Sequence, residues 1–175
     1  MTKAYAEIGV TTNFSFLRGA SHPQEYVQMA AEYGLHAIGI ADHNTLAGVV
    51  RAYSELENLE IKHKPKLLIG SRIVFMDATP DILVYPCDRS AYGRLCQLLT
   101  RGKRGEDVEK GECHLKLDDL LDFAEGQLLV LALPHRFDSA QASKLLARLK
   151  VVEVHGFGSD AFAISLCPAA TACKP

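Results

Sequence analysis

Short apolar runs alternate with amphipathic helical segments along most of this sequence. A helix that Ser21 could cap, with Pro23 in its first turn and Gly34 at its end, is followed by the apolar run 36–41. A second helical segment, 45–59, precedes another apolar run. Strands that alternate with helices in this way are typical of a parallel sheet covered by helices. The sequence therefore predicts an α/β fold, either a doubly wound sheet or a barrel.

The rest of the chain continues this alternation as far as residue 155. The further predicted strands are 66–70, 73–75, 82–85, 128–133 and 151–155, and the further predicted helices are 90–100, 117–124 and 139–149. Four glycines and alternating charges predict an exposed loop over 101–113. Beyond residue 156 no periodicity is present. We therefore expect one folded domain over 1–155 and an unassigned tail over 156–175.

Composition narrows the class of protein. With 175 residues and 48% hydrophobic side chains, the chain can bury the core of one globular domain. A net charge of −2 gives no overall electrostatic signature of a nucleic-acid binder. No stretch approaches the roughly 18 apolar residues that cross a bilayer, and no apolar leader opens the chain, so we expect a cytoplasmic protein without a membrane contact.

Two histidines follow predicted strands and are the first chemical candidates. Functional groups in both α/β architectures lie at the carboxyl ends of strands, which selects Asp42–His43 and Pro134–His135. A histidine there can bind a divalent metal while a neighbouring carboxylate orients it. The alternative is structural: Asp42 caps the next helix and His43 lies half exposed beside it.

Three segments carry a resemblance to a known family. They are 13–23, which contains the run F-L-R-G-A-S-H-P, then 40–52, which begins I-A-D-H-N-T, and 88–101. Together they resemble the PHP domain at the front of bacterial C-family DNA polymerases, in particular the error-prone branch of these polymerases. The resemblance implies a PHP-type distorted (β/α)7 barrel, here incomplete, which in active relatives binds up to three divalent metals and hydrolyses phosphoesters.

The metal-ligand positions that the resemblance implies are largely altered in this chain. The opening H-x-H motif falls on Gly9 and Thr11, and a later carboxylate position falls on Arg72. His43 keeps its position, and Asp81 lies near another histidine position. Metal-dependent hydrolysis needs several converging ligands, so the remnant His43, Asp42 and Asp81 would hold at most a residual Zn or Mn ion.

The expected function is therefore a catalytically inactive PHP module of an error-prone DNA polymerase involved in replication and repair. Its partners would be the rest of the polymerase chain or accessory subunits, with DNA contacted only indirectly. One alternative is a free metal-dependent phosphoesterase that uses His43, Asp42, Asp81, His135 and His155; another is a non-functional gene fragment. The basic run 101–105 could contact a phosphate backbone, or it could be a solvated loop.

Overall fold

The computed structural model describes residues 5–105, 107–132, 153–157 and 161–165. The chain divides into two compact units, residues 1–72 and 73–175. None of the described helices is both long enough and apolar enough to cross a membrane.

The first unit is built on three parallel strands. They are β1 (Ala6–Val10), β2 (Ala37–His43) and β3 (Lys66–Ile73), and β2 pairs with both of the others. Helix α1 (Pro23–Glu32) joins β1 to β2, and helix α2 (Val49–Asn58) joins β2 to β3. A single crossover helix returns the chain to the edge where the previous strand began, so the strands run parallel. The predicted α/β fold is confirmed, and this unit has the predicted parallel sheet.

Local signals determine both ends of α1. The N-cap is His22, one residue later than the predicted Ser21, because the Glu25 carboxylate accepts a hydrogen bond from the His22 N–H at 2.8 Å. Pro23 takes the first helical position, as predicted. Gly34 ends the helix in a left-handed conformation with φ +64°, which a residue with a Cβ adopts only at a cost.

The core of the first unit lies between the sheet and its two helices. Its buried members are Val10, Val27, Ala30, Ile38, Ile40 and Ala52. Because side chains alternate along a strand, Ile38 and Ile40 point to the same face of β2 as Asp42. The apolar row that packs against the helices therefore ends in a carboxylate.

The second unit contains four of the described strands and two of the described helices. Its elements are β4 (Ile82–Pro86), α3 (Arg89–Lys103), α4 (Leu117–Asp122), β5 (Gln127–Ala132), β6 (Glu153–Phe157) and β7 (Ala161–Ser165). Here β4 pairs with β5, β5 with β7, and β6 with β7, all antiparallel. The expectation of a parallel sheet is wrong for this unit, because two helices lie between β4 and β5 instead of a single crossover helix.

Several predicted boundaries also need correction. The run 73–75 is not a separate strand, since Ile73 is the last residue of β3, and α2 begins at Val49 instead of residue 45. Helix α3 extends to Lys103, so the predicted loop over 101–113 begins later. Strand β7 lies in the region left unassigned by periodicity. The predicted helix 139–149 and the Pro134–His135 pair lie outside the described residues.

Candidate functional site

The carboxylate of Asp42 is the centre of a buried polar cluster at the end of β2. Asp42 is only 1% exposed. Its Oδ1 accepts hydrogen bonds from the Thr12 N–H at 2.8 Å and the Ser15 hydroxyl at 2.6 Å, and its Oδ2 accepts one from the Thr12 hydroxyl at 2.8 Å. All three donor groups are neutral. The cluster therefore satisfies both oxygens of Asp42 with hydroxyl and amide groups from the loop that follows β1.

Ser15 connects this cluster to the next residue of β2. Its hydroxyl oxygen accepts a hydrogen bond from the His43 N–H at 2.9 Å while its proton goes to Asp42. Its backbone N–H donates to the Thr12 carbonyl at 2.9 Å, and Ser71 donates its hydroxyl to the Asp42 carbonyl at 2.9 Å. The loop after β1 is thus bonded to the end of β2 through side chain and backbone together.

Two glycines allow the chain to approach this cluster closely. A Cβ at Gly19 would lie 2.2 Å from the Thr12 carbonyl oxygen, and a Cβ at Gly48 would lie 2.8 Å from the Asp42 Oδ2. Gly48 is the N-cap of α2, so the positive end of that helix faces the negative carboxylate. The alternative interpretation, in which the Asp42 side chain caps α2, is wrong, because the N-cap of α2 is Gly48, six residues later, and Asp42 bonds to the loop after β1.

His43 and Asp42 are adjacent on one strand and therefore point to opposite faces of the sheet. In the parallel pairing of β2 with β3, His43 lies beside Arg72 and Asp42 lies beside Ser71. Paired residues of neighbouring strands share a face, so the cation of Arg72 lies on the same face as the imidazole of His43. The half-buried position expected for His43 is observed. The roles of Asp42 and His43 as metal ligands stay predictions.

The position of the first missing histidine has an unusual backbone. Gly9 has φ +82°, and the pairing of β1 with β2 shifts register between Glu7 and Val10. A histidine at residue 9 would carry its side chain in a conformation that L residues rarely adopt. Both the side chain and the backbone of this position thus differ from what a metal ligand in a regular strand would need.

The remaining predicted ligand, Asp81, lies in the second unit immediately before β4, where its carbonyl accepts a hydrogen bond from the Ala132 N–H at 3.0 Å. Within the described residues, no group of three or more His, Cys, Asp or Glu side chains could hold a metal ion. His135 lies outside these residues, and only the backbone of His155 is described. The described donors of the first unit do not converge as a catalytic metal centre requires, since Asp42 and His43 point to opposite faces of the sheet.

In the basic run 101–105, Arg101 contacts other residues of the second unit. Arg101 contacts Asp122 at 2.6 Å and Asp119 at 3.4 Å, and its guanidinium lies 4.6 Å from the centre of the Phe123 ring. The hydrogen bond to Asp122 raises the pKa of Arg101. This arginine connects α3 to α4, which favours a structural role over a phosphate contact at this residue.

Sequence reasoning missed the role of Ser15. Its only signal was a second hydroxyl residue three positions after Thr12, in a segment that carried the family resemblance. Hydroxyl residues are common in loops, where they usually bond to nearby backbone, so that spacing does not predict a partner 27 residues away along the chain.

Comparison with known proteins shows the family of the chain. The family model described as "PHP domain" matches residues 8–150. An error-prone DNA polymerase of Bradyrhizobium diazoefficiens is 71% identical over 158 residues, which is 89% of this chain and 14% of the polymerase. An error-prone DNA polymerase of Bradyrhizobium sp. is 70% identical over 149 residues, or 83% of this chain and 13% of the polymerase. The chain thus spans a small part of the relatives that it matches.

A solved structure from Bifidobacterium adolescentis, provisionally named a metal-dependent phosphoesterase, is 24% identical and superposes with a TM-score of 0.46. The superposition covers 70% of this chain and 44% of that one. The family match confirms the expected resemblance and the PHP-type α/β fold.

Proposed function

The chain belongs to the PHP domain family, and on that premise we propose that it is the amino-terminal module of an error-prone DNA polymerase and acts there as a structural module without hydrolytic activity. In this role it supports the rest of the polymerase chain or its accessory subunits and contacts DNA only indirectly. The polymerase would serve translesion synthesis and repair in the cytoplasm. The names and lengths of the relatives motivate this assignment.

The hydrogen bonds of Asp42 are the main support for the proposal that this chain has no hydrolytic activity. A metal ion on Asp42 would have to share a carboxylate that already accepts three hydrogen bonds from buried neutral donors, two on Oδ1 and one on Oδ2. Displacing any of these donors would leave a buried polar group without a partner. In this family member the cluster binds the loop after β1 to the sheet through neutral donors.

Charge around His43 supports the same conclusion. Arg72 lies on the same face of the sheet as His43 and adds a permanent positive charge where a divalent cation would have to bind. Gly9 and Thr11, at the two positions of the opening motif, supply no imidazole. His43, the one histidine retained among the ligand positions compared, would by itself give a residual Zn or Mn ion fewer protein ligands than catalysis commonly needs.

The test is a paired measurement of metal content and hydrolysis on the purified chain. We expect less than one equivalent of Zn or Mn by elemental analysis after equilibration with each metal, and no release of nitrophenol from bis(p-nitrophenyl) phosphate. His43→Ala should change neither result, and the exposed His63 provides a matched control as His63→Ala. Two or more bound metal ions, or Mn-dependent turnover that His43→Ala abolishes and His63→Ala retains, would instead establish the free phosphoesterase.

The polymerase assignment is tested separately from the chemistry. A chimera of the Bradyrhizobium diazoefficiens polymerase, with its matched 158-residue segment exchanged for the corresponding residues of this chain, should fold and extend a primed template. An insoluble or inactive chimera would contradict the proposed role as a polymerase module, whatever the metal content of the isolated chain.

A further inference from the structure

Two adjacent apolar side chains project into solvent from the loop after β1. Phe16 is 84% exposed and Leu17 is 87% exposed, the highest values among the large apolar residues of the described chain. Single exposed apolar residues are ordinary on a protein surface, but an aromatic and an aliphatic side chain side by side at a loop tip form a contact surface. We refer to residues 16–17 as the apolar tip.

The loop that carries the apolar tip is held in place from within. Ser15, the residue before the tip, is buried and bonds to Asp42. Arg18 and Gly19, the residues after it, donate their N–H groups to the Ser15 carbonyl at 2.9 and 3.0 Å, and the Asn13 N–H closes the base of the loop on the Ser21 carbonyl at 2.9 Å. The apolar tip is therefore preorganised, which lowers the entropy cost of docking it against a partner.

The backbone at the apolar tip is strained. Leu17 has φ +59°, a region that glycine adopts freely and that a branched side chain such as leucine rarely adopts. A glycine would satisfy the turn, yet the chain has a large apolar side chain there. Strain retained at an exposed position indicates that the side chain serves something other than the fold of this loop.

We propose that the apolar tip docks into an apolar cleft on the remainder of the polymerase chain. The inference rests on the proposed function, since the matched relatives devote only 14% and 13% of their length to this region and the rest lies outside it. Arg18, exposed beside the tip, fits an acidic rim on that cleft. The net charge of −2 disfavours the alternative that Phe16 stacks on single-stranded DNA, which usually needs a basic groove.

The experiment compares the same variants in the isolated chain and in the full-length chimera described above. Leu17→Gly removes the side chain and relieves the backbone, so it should leave the Tm of the isolated chain unchanged or slightly raised. In the chimera the same substitution should lower the Tm of this region by several degrees, and Phe16→Ser should act in the same direction. Tyr33→Ser, at an exposed aromatic outside the loop, should have the same effect in both proteins.

Limited proteolysis gives a second measurement. Chymotrypsin should cut the isolated chain after Phe16 or Leu17 and should cut the chimera there much more slowly. Equal cleavage in both proteins, or a Leu17→Gly effect that is the same in both, would overturn the docking of the apolar tip while an active chimera leaves the polymerase assignment standing. An isolated chain that dimerises in sedimentation, and becomes monomeric with Leu17→Gly, would assign the tip to a second copy and also overturn the proposal.

Discussion

The Asp42 cluster and the Arg101 cluster contain similar polar contacts in different surroundings. Asp42 makes three hydrogen bonds while only 1% exposed. Arg101 contacts Asp119 and Asp122, but its side chain is 44% exposed and that of Asp122 is 63% exposed. Water can replace the second set of contacts and cannot replace the first.

That difference decides which contacts determine the structure. A buried polar group that loses its partner costs about 1–3 kcal/mol, whereas an exposed ion pair contributes about 0–1 kcal/mol. The Asp42 cluster therefore holds the loop after β1 in place against the end of β2, while the contacts of Arg101 with Asp119 and Asp122 add little to stability.

The largest effect should come from removing the buried carboxylate. Asp42→Ala leaves the Thr12 N–H, the Thr12 hydroxyl and the Ser15 hydroxyl without their acceptor. We expect the free energy of unfolding to fall by about 3 kcal/mol or more, measured by urea denaturation. Asp107→Ala, at an exposed acidic residue, is the matched control and should change it by less than about 0.5 kcal/mol. Similar free energies of unfolding for Asp42→Ala and Asp107→Ala would show that the buried carboxylate contributes no more to stability than an exposed one.

The next largest effect should come from adding a Cβ at a glycine of the first unit, compared with the same change in the second unit. Gly19→Ala places a Cβ 2.2 Å from the Thr12 carbonyl oxygen, a backbone atom that can move only if the loop shifts. Gly93→Ala, within α3, meets nothing within 4 Å. We expect the first variant to lower the free energy of unfolding by about 2 kcal/mol and the second to raise it by roughly 0.5–1 kcal/mol. Thermal unfolding of both variants would check the opposite signs, and a stabilising Gly19→Ala would show that the loop is not held tightly.

The exposed cluster should show a smaller change that depends on salt. Arg101→Gln removes the contacts to Asp119 and Asp122 and the charge over the Phe123 ring. We expect a small loss in the free energy of unfolding in low salt that shrinks in 0.5 M NaCl, since exposed pairs are screened. Arg89→Gln, at an exposed arginine in the first turn of the same helix, is the control. A loss as large as that of Asp42→Ala, and one that salt does not reduce, would show that the Arg101 contacts stabilise the fold as much as the buried cluster does.

The strand and helix pattern was largely predictable, because each element has its own period. The buried run of β2 and the start of α1 at Pro23 follow from local sequence, and the α/β class follows from their alternation. The antiparallel pairing of β4 with β5 did not follow, since it depends on how the two helices between them are placed. Strand β7 has no period-two alternation of polar and apolar residues and was missed for that reason.

The candidate site was predictable only in part. The position of Asp42–His43 after a predicted strand selected this pair, and the family resemblance predicted altered ligand positions at Gly9, Thr11 and Arg72. It did not show that Thr12 and Ser15 occupy both carboxylate oxygens, because those contacts join residues 27 to 30 positions apart through a loop without a regular pattern. The positive φ of Leu17 and of Gly9 also depends on the three-dimensional path of that loop. Contacts of long sequence separation are set by the fold as a whole.

The smallest predicted effect concerns Asp77, a carboxylate intermediate between the buried Asp42 and the exposed partners of Arg101. Asp77 is exposed, yet its Oδ2 accepts a hydrogen bond from the N–H of Leu117, the first residue of α4, at 3.0 Å, and its Oδ1 accepts one from the Thr79 N–H at 3.3 Å. Partial burial raises the pKa of Asp77, but these hydrogen bonds lower it more, and the net pKa lies below its ordinary value. Asp77 is thus tied to α4 without being shielded from water.

A pKa that is lower in the folded than in the unfolded chain stabilises the fold at pH values above the ordinary aspartate pKa of about 3.9. That contribution is lost as the pH falls through the folded-state pKa. The free energy of unfolding of the wild-type chain should therefore exceed that of Asp77→Asn by a small amount at pH 7, and the difference should shrink by pH 3. Urea denaturation of both proteins at the two pH values measures it, with Asp107→Asn as the exposed control. A difference that grows on acidification would mean that burial, not hydrogen bonding, dominates the pKa of Asp77.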